Sequence, residues 1–243
     1  MESLVTLTPQ YRIDAVKNNL DSSFSSLLNM TARPFIQSIL KDTKPQHHVL
    51  HLGGRNAEAS RYFADKIPKG QLIGIDGCPE RLRVAKTLNR DLKNTSFQAQ
   101  KLDSFSLPYT FDWVVSFFCL EWETNKPKVF QNIASHLTPN GQVRLIMSGR
   151  NPYLHAIRHH FQKHNKWSEY FDLRKNNLHA NIDDQYQEYA LDAGLENVTY
   201  NEKQVIVKFQ NRHELKTFIR SGIPAIEKLS KVEDQDVFLE EFI

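Results

Sequence analysis

The sequence predicts an α/β protein with a parallel sheet covered by helices on both faces. Three observations lead there. Strand-like and helix-like segments alternate through residues 48–147. Residues 111–118 form a nearly continuous apolar run, as expected of a central parallel strand buried on both sides. Residues 49–76 read strand, glycines, helix, strand and carboxylate, the order of a nucleotide-binding βαβ unit.

Taken in order, residues 11–40 read as helical. Leu20, Phe24, Leu27 and Leu28 recur at helical spacing, and Phe35, Ile36, Ile39 and Leu40 repeat the pattern after Pro34. Pro45 then breaks the chain. Residues 48–52 are a short strand ending at Gly53 and Gly54. A helix over 56–67 closes at Pro68, and 71–75 is a β-branched strand. Pro79 opens a helix to about residue 89, since proline suits the first helical turn. Residues 96–102 alternate like a strand. After the 111–118 strand a helix runs to Leu137, is stopped by Pro139, Asn140 and Gly141, and gives way to a strand over 143–147. Residues 152–190, polar and rich in histidine and aromatics, read as a helical insertion. Residues 197–200 and 204–209 read as an antiparallel strand pair. Asn211 and Glu214 then form a capping-box pattern that starts a helix. Residues 222–243 are helical with breaks.

Composition narrows the class. At 243 residues the chain is long enough to bury a core without disulfides or a structural metal, and a single domain is expected. Its 31 basic against 28 acidic residues leave +3, too small an excess to argue for nucleic acid. Cys78 and Cys119 make neither a disulfide framework nor a zinc ribbon. No apolar run approaches the roughly 18 residues that cross a bilayer. Residues 1–5 lack the start of a signal peptide, so a cytoplasmic setting and no membrane contact are expected.

The βαβ unit carries the chemistry. Asp76 lies 23 residues after Gly53, the spacing at which a carboxylate reaches the ribose hydroxyls of a bound nucleoside. The helix start at Asn56 offers free backbone N–H groups to an anionic ligand.

On these motifs the chain resembles a class I S-adenosylmethionine-dependent methyltransferase. Residues 48–57, His-Val-Leu-His-Leu-Gly-Gly-Arg-Asn-Ala, stand where that family has a strand and a glycine-rich loop. Residues 73–82, Ile-Gly-Ile-Asp-Gly-Cys-Pro-Glu-Arg-Leu, are similar to its second motif. Leu102 and Asp103, followed by Leu107 and Pro108, are similar to the third, whose acidic residue contacts the adenine amino group. Residues 111–116 with Leu120, Glu121 and Trp122 resemble the fourth, and 137–141 match the turn before the fifth strand. Within the superfamily, Ala32, Arg33 and Pro34, together with Trp122, resemble the trans-aconitate and juvenile-hormone-acid methyltransferases, which act on small carboxylates.

The resemblance implies a Rossmann-like seven-stranded mixed sheet with its last strand pair antiparallel and helices on both faces. It implies a single methyltransferase domain over 1–243. Residues 1–45 would be a helical lid, 46–150 the cofactor-binding half, 151–193 an insertion, and 194–243 the C-terminal strands and helices. The implied cofactor is S-adenosyl-L-methionine. Its contacts fall on His51, Gly53, Gly54, Arg55, Asp76, Gly77, Asp103, Ser104 and Phe117. Glu121, just past the fourth strand, is a candidate general base or substrate-orienting group. The other reading is a helix-start carboxylate favoured by the macrodipole. His155 in the insertion is a candidate for the substrate pocket. His155, His159, His160 and His164 form two i,i+4 pairs facing different ways, a solvated helix face rather than a metal site.

The glycine-rich loop departs from the family's acidic-x-Gly-x-Gly-x-Gly pattern. His51 holds the acidic position, Arg55 the second glycine and Ala57 the third. Arg55 either obstructs the cofactor, points outward, or reaches its carboxylate in a charge-assisted hydrogen bond. His51 removes a carboxylate that would hold the methionine ammonium. The loss of one such charged hydrogen bond costs about 1.5–3 kcal/mol.

The function expected is methyl transfer to a small-molecule acceptor, with carboxylates favoured. A non-catalytic binding protein with a degenerate loop is one alternative. An RNA methyltransferase is the other, suggested by Arg150, Arg158, Lys163, Lys166 and Arg174 among aromatics. Amphipathic helices share that pattern, and Glu169 and Asp172 interrupt it. Residues 116–119, Ser-Phe-Phe-Cys, also lack the Asn/Asp-Pro-Pro-aromatic motif of exocyclic-amine enzymes.

Overall fold

The computed structural model describes residues 12–13, 23–54, 57–147, 167, 185–201, 206–207, 209–222, 226, 229 and 232–242. Five strands form one sheet: β2 (His48–Leu52), β3 (Gln71–Asp76), β4 (Thr95–Ala99), β5 (Phe111–Phe117) and β6 (Leu137–Ile146). Their order is β4-β3-β2-β5-β6 and every pairing is parallel. The chain winds outward from β2 to β4, then returns to place β5 on the other side of β2. The order therefore reverses between β2 and β5, the point at which open α/β sheets bind ligands beyond their carboxyl ends.

Side chains from alternate positions of the strands feed two cores. Val49, Leu72, Trp113, Val115 and Phe117 pack with Phe35, Ile36 and Ile39 of α1 (Ser23–Asp42) and Phe63 of α2 (Ala57–Lys66). Leu82 and Ala85 of α3 (Pro79–Leu88) join the same cluster. Leu50, Leu52, Ile73, Val114 and Leu145 pack instead with Val129, Phe130 and Ile133 of α4 (Lys126–Ser135). Tyr186 and Ala190 of α5 (Tyr186–Asp192) complete that side. Helices thus cover both faces, and the buried apolar area supplies the main driving force for folding.

Local chemistry sets the helix ends. Pro79 sits in the first turn of α3, as its sequence position predicts. Asn89 at the other end is buried, and its Nδ2 donates to Ala85 O at 2.9 Å and Ala57 O at 3.1 Å. That bond ties the end of α3 to the start of α2. Asn125 caps α4, accepting from Lys128 N at 3.3 Å. Asn211 caps α6 (Arg212–Gly222), accepting from Glu214 N at 2.9 Å. Glu214 returns a bond to Gln210 N at 2.7 Å, so the capping box forms one residue out of its usual register. The last helix, α7, is Val232–Phe242.

The expected seven-stranded sheet with an antiparallel last pair is not supported: among the described residues the sheet has five strands, all parallel. Residues 197–200 make no strand. Asn197 has φ +54°, in the left-handed region that strand pairing cannot use, and Tyr200 is exposed. Within the expected 204–209 strand, Ile206–Val207 (β7) pair in parallel with Arg12–Ile13 (β1), in a ladder separate from the main sheet. The same ladder corrects the reading of residues 11–40 as wholly helical. β6 begins at Leu137 instead of 143, and its pairing with β5 slips between Phe111 and Trp113. The looser entry accommodates Gly141, where a Cβ would lie 2.7 Å from Phe111 O. Most of the insertion lies outside the described residues, and so do the four histidines of residues 155–164.

One glycine of the sheet is required by packing. Gly74 pairs with Phe97 of β4, and a Cβ at Gly74 would lie 2.4 Å from Phe97 Cδ1. Gly74→Ala is expected to destabilise the fold by about 1–3 kcal/mol through overpacking. Combining it with Phe97→Leu should recover part of the loss, read as urea midpoints of the two variants against wild type.

Candidate functional site

The site is built where β2, β3 and β5 end. β2 passes into Gly53, whose φ of +97° is strained for any residue with a side chain. Gly53 N donates to Ile75 O at 2.7 Å, holding the loop against β3. A Cβ at Gly53 would lie 2.7 Å from both Cβ and Sγ of Cys119, the residue that follows β5 closely. Only glycine allows the two strand ends to approach this far.

Asp76 is the last residue of β3 and is 2% exposed. Its Oδ2 accepts from Gly54 N at 2.6 Å and from Arg81 Nε at 2.8 Å. Its Oδ1 accepts from Cys78 N at 2.7 Å and from Arg81 Nη2 at 2.8 Å. Burial pushes the Asp76 carboxyl up. Arg81 and the two backbone N–H groups outweigh it, and the net effect lies below the usual carboxylate value. Arg81 shifts upward in turn through the same pair.

His51 is 2% exposed on β2. Its Nδ1 lies 2.8 Å from Ser60 Oγ of α2, and its ring meets Phe117 edge-on at 5.5 Å between centroids. Its Nε2 has no hydrogen-bond partner among the described residues. Burial lowers the imidazole pKa to about 4, with the Asp76 charge opposing only part of the shift. At neutral pH His51 is therefore an uncharged group where the family pattern has an anion. Phe117 is buried. Besides His51, it meets Phe35 edge-on at 6.5 Å and stacks with Phe63 at 6.3 Å. Phe118, next along the chain, is partly exposed with φ +55°.

The remaining carboxylates converge from the β4 and β5 ends. Asp103 is half-buried and accepts from Ser104 Oγ at 2.9 Å, while Ser104 itself is exposed. Glu121 is buried in the short 3₁₀ turn Leu120–Trp122. Glu123 is pushed above the usual carboxylate range by burial, then by the charges of Asp103 and Asp76. The Cys119 thiol is pushed well up by burial and by Asp76, Glu123 and Glu121, so it stays protonated and unreactive at neutral pH. Gly77 is exposed, and a Cβ there would meet only Gln100 O, at 3.9 Å.

The structure thus brings together His51, Gly53, Gly54, Asp76 and Phe117, with Asp103 and Glu121 at the same ends of the strands. Arg55 and His155 lie outside the described residues. The sequence reading missed Arg81, Cys119, Glu123 and Ser60. Arg81 carried a usable signal: an arginine in the first turn of a helix that starts three residues after a strand-end aspartate.

A strand-end glycine loop facing a buried aspartate at a sheet's switch point is the arrangement of a Rossmann-like α/β domain. Residues 49–141 match the model of a methyltransferase domain. Over 195 residues, 80% of this chain and 72% of its own length, the 235L protein of Invertebrate iridescent virus 6 is 24% identical. The juvenile hormone acid O-methyltransferase of Bombyx mori is 27% identical over 151 residues, 59% of this chain and 54% of that enzyme. The chain therefore spans little more than half the length of that relative. The methyltransferase solved with the Haloferax volcanii Trm112 activator shares the fold. Its TM-score is 0.51 at 20% identity, covering 74% of this chain and 77% of that one. The domain match and these relatives support a class I S-adenosylmethionine-dependent methyltransferase, a class whose cofactor is S-adenosyl-L-methionine. The residues present fit it. The four carboxylates Asp76, Asp103, Glu121 and Glu123 suit a ligand bearing sulfonium and ammonium charges, and Gly53 and Gly54 bring backbone to the crevice.

The buried imidazole makes stability depend on pH. His51 is neutral in both folded and unfolded chains above its ordinary value of 6.5. Between there and about 4, the unfolded chain binds a proton that the folded one refuses. Stability is then lost on acidification, by up to about 3 kcal/mol from this group. His51→Gln should lose less stability between about pH 7 and pH 4.5, measured by urea denaturation at both values.

Proposed function

We propose that this protein transfers the methyl group of S-adenosylmethionine to the carboxylate of a small-molecule acid. The observation that carries the reading is the similarity to the B. mori enzyme, whose name gives a hormone acid as its acceptor. A second relative of the same name, from Drosophila melanogaster, is 24% identical over 185 residues.

In this reading Asp76 holds the ribose hydroxyls, Asp103 the adenine amino group, and the backbone at Gly53 and Gly54 lines the crevice floor. His51 is an uncharged partner near the methionine end. Bound there, the cofactor supplies a methyl group activated by its sulfonium. Glu121 orients the acceptor from the β5 end. Holding acceptor oxygen and methyl in line accounts for most of the acceleration. The same reading takes residues 1–45 as the lid segment, residues 151–193 as the cap of the acceptor pocket and His155 as a candidate residue of that pocket.

A carboxylate acceptor needs no general base, because its pKa near 4–5 leaves it ionised at neutral pH. Turnover of small carboxylic acids, followed as S-adenosylhomocysteine release, should therefore stay flat between about pH 6 and 9. A rate that climbs tenfold per pH unit, or turnover confined to phenols, amines or RNA in the same assay, would overturn the carboxylate reading.

A further inference from the structure

The carboxylate assigned to the ribose is already full. An ionised carboxylate offers about four acceptor positions. Asp76 fills four: Gly54 N, Cys78 N, and the Nε and Nη2 of Arg81. Two of these donors are backbone groups fixed by the β2 loop and the start of α3. The other two belong to one side chain, which is one-third exposed and can leave. A ribose also offers two donors, its neighbouring hydroxyls. The Arg81 fork and a ribose therefore compete for the same two positions.

The packing around the fork agrees. A Cβ at Gly54 would lie 3.4 Å from Asp76 Oδ2 and 3.5 Å from Arg81 Cβ. The glycine loop and the base of Arg81 thus face each other across the carboxylate, where a nucleoside would lie.

We propose that Arg81 is a built-in competitor of the cofactor: its guanidinium occupies the ribose positions of Asp76 in the free protein and must swing out for S-adenosylmethionine to bind. The proposal rests on the reading of Asp76 as the ribose carboxylate. The apparent dissociation constant is then the intrinsic one divided by the fraction of molecules whose Arg81 is out. A competent fraction of about one in ten or less weakens apparent affinity at least tenfold. Arg81 stands outside the chemistry and sets how much cofactor the protein holds at a given concentration.

The test is calorimetric titration of the full chain with S-adenosylhomocysteine, using wild type, Arg81→Met, Asp76→Ala and the double variant. Methionine keeps the unbranched stem of Arg81 and removes the fork. Arg81→Met is expected to bind at least tenfold tighter than wild type. In the Asp76→Ala background the same change should have no effect, because there is no carboxylate left to compete for. A merely structural arginine could not give this result, since loss of structure does not tighten binding. Equal or weaker binding by Arg81→Met, with Asp76→Ala still weakening it, would overturn the competitor and leave the ribose reading standing. If Asp76→Ala fails to weaken binding in the Arg81→Met background, the ribose reading falls and the proposal with it. Should Arg81→Met not fold, Arg81→Lys keeps the charge, loses the fork, and should tighten binding by a smaller factor. Unchanged affinity there would overturn the proposal equally.

Discussion

The site is organised around one buried carboxylate. Asp76 ends β3 with almost no exposure, and leaving it unpaired there would cost several kcal/mol. Its partners come from three separate pieces of chain: the loop after β2, the turn before α3, and the first turn of α3 itself. Satisfying that charge therefore fixes where the glycine loop crosses the strand ends and how α3 leaves the sheet. Gly53 can take its left-handed conformation because its N–H is caught by Ile75 O, one residue before Asp76.

The same charge acts further out. It opposes, without overcoming, the desolvation that keeps His51 neutral. It adds to the repulsion that lifts Glu123 and the Cys119 thiol. Arg81 opposes that repulsion at both groups, with Lys126 beside it at Glu123, so the acidity of the crevice depends in part on where one guanidinium lies.

Much of the core was legible in the sequence because parallel strands announce themselves. The apolar run at β5, the alternation around β2 and β3, and Pro79 at the start of α3 are local signals with local causes. The C-terminal strands failed for a nonlocal reason. Residues 197–200 have the composition of a strand, yet Asn197 takes a left-handed turn, and β7 finds its partner at residues 12–13, nearly two hundred positions earlier. Within the site, motif spacing located Gly53, Asp76 and Asp103. It could not show that Arg81 closes on Asp76, because a rotamer choice five residues away leaves no trace in spacing. Glu123 escaped notice since a glutamate near a helix start is ordinary until its acidic neighbours are known.

The contact between Gly53 and Cys119 makes the floor of the crevice a shared volume. With a missing Cβ on one side and a small thiol on the other, neither position can grow unless its counterpart or the backbone yields. The two residues follow different strands and lie far apart in the chain, and the left-handed φ of Gly53 bars a side chain there whatever stands at 119. Sequence drift in this loop is therefore channelled. Positions such as 51 and 57, which do not share that volume, are free to leave the family pattern, while the first glycine is held in place by a cysteine that no motif names.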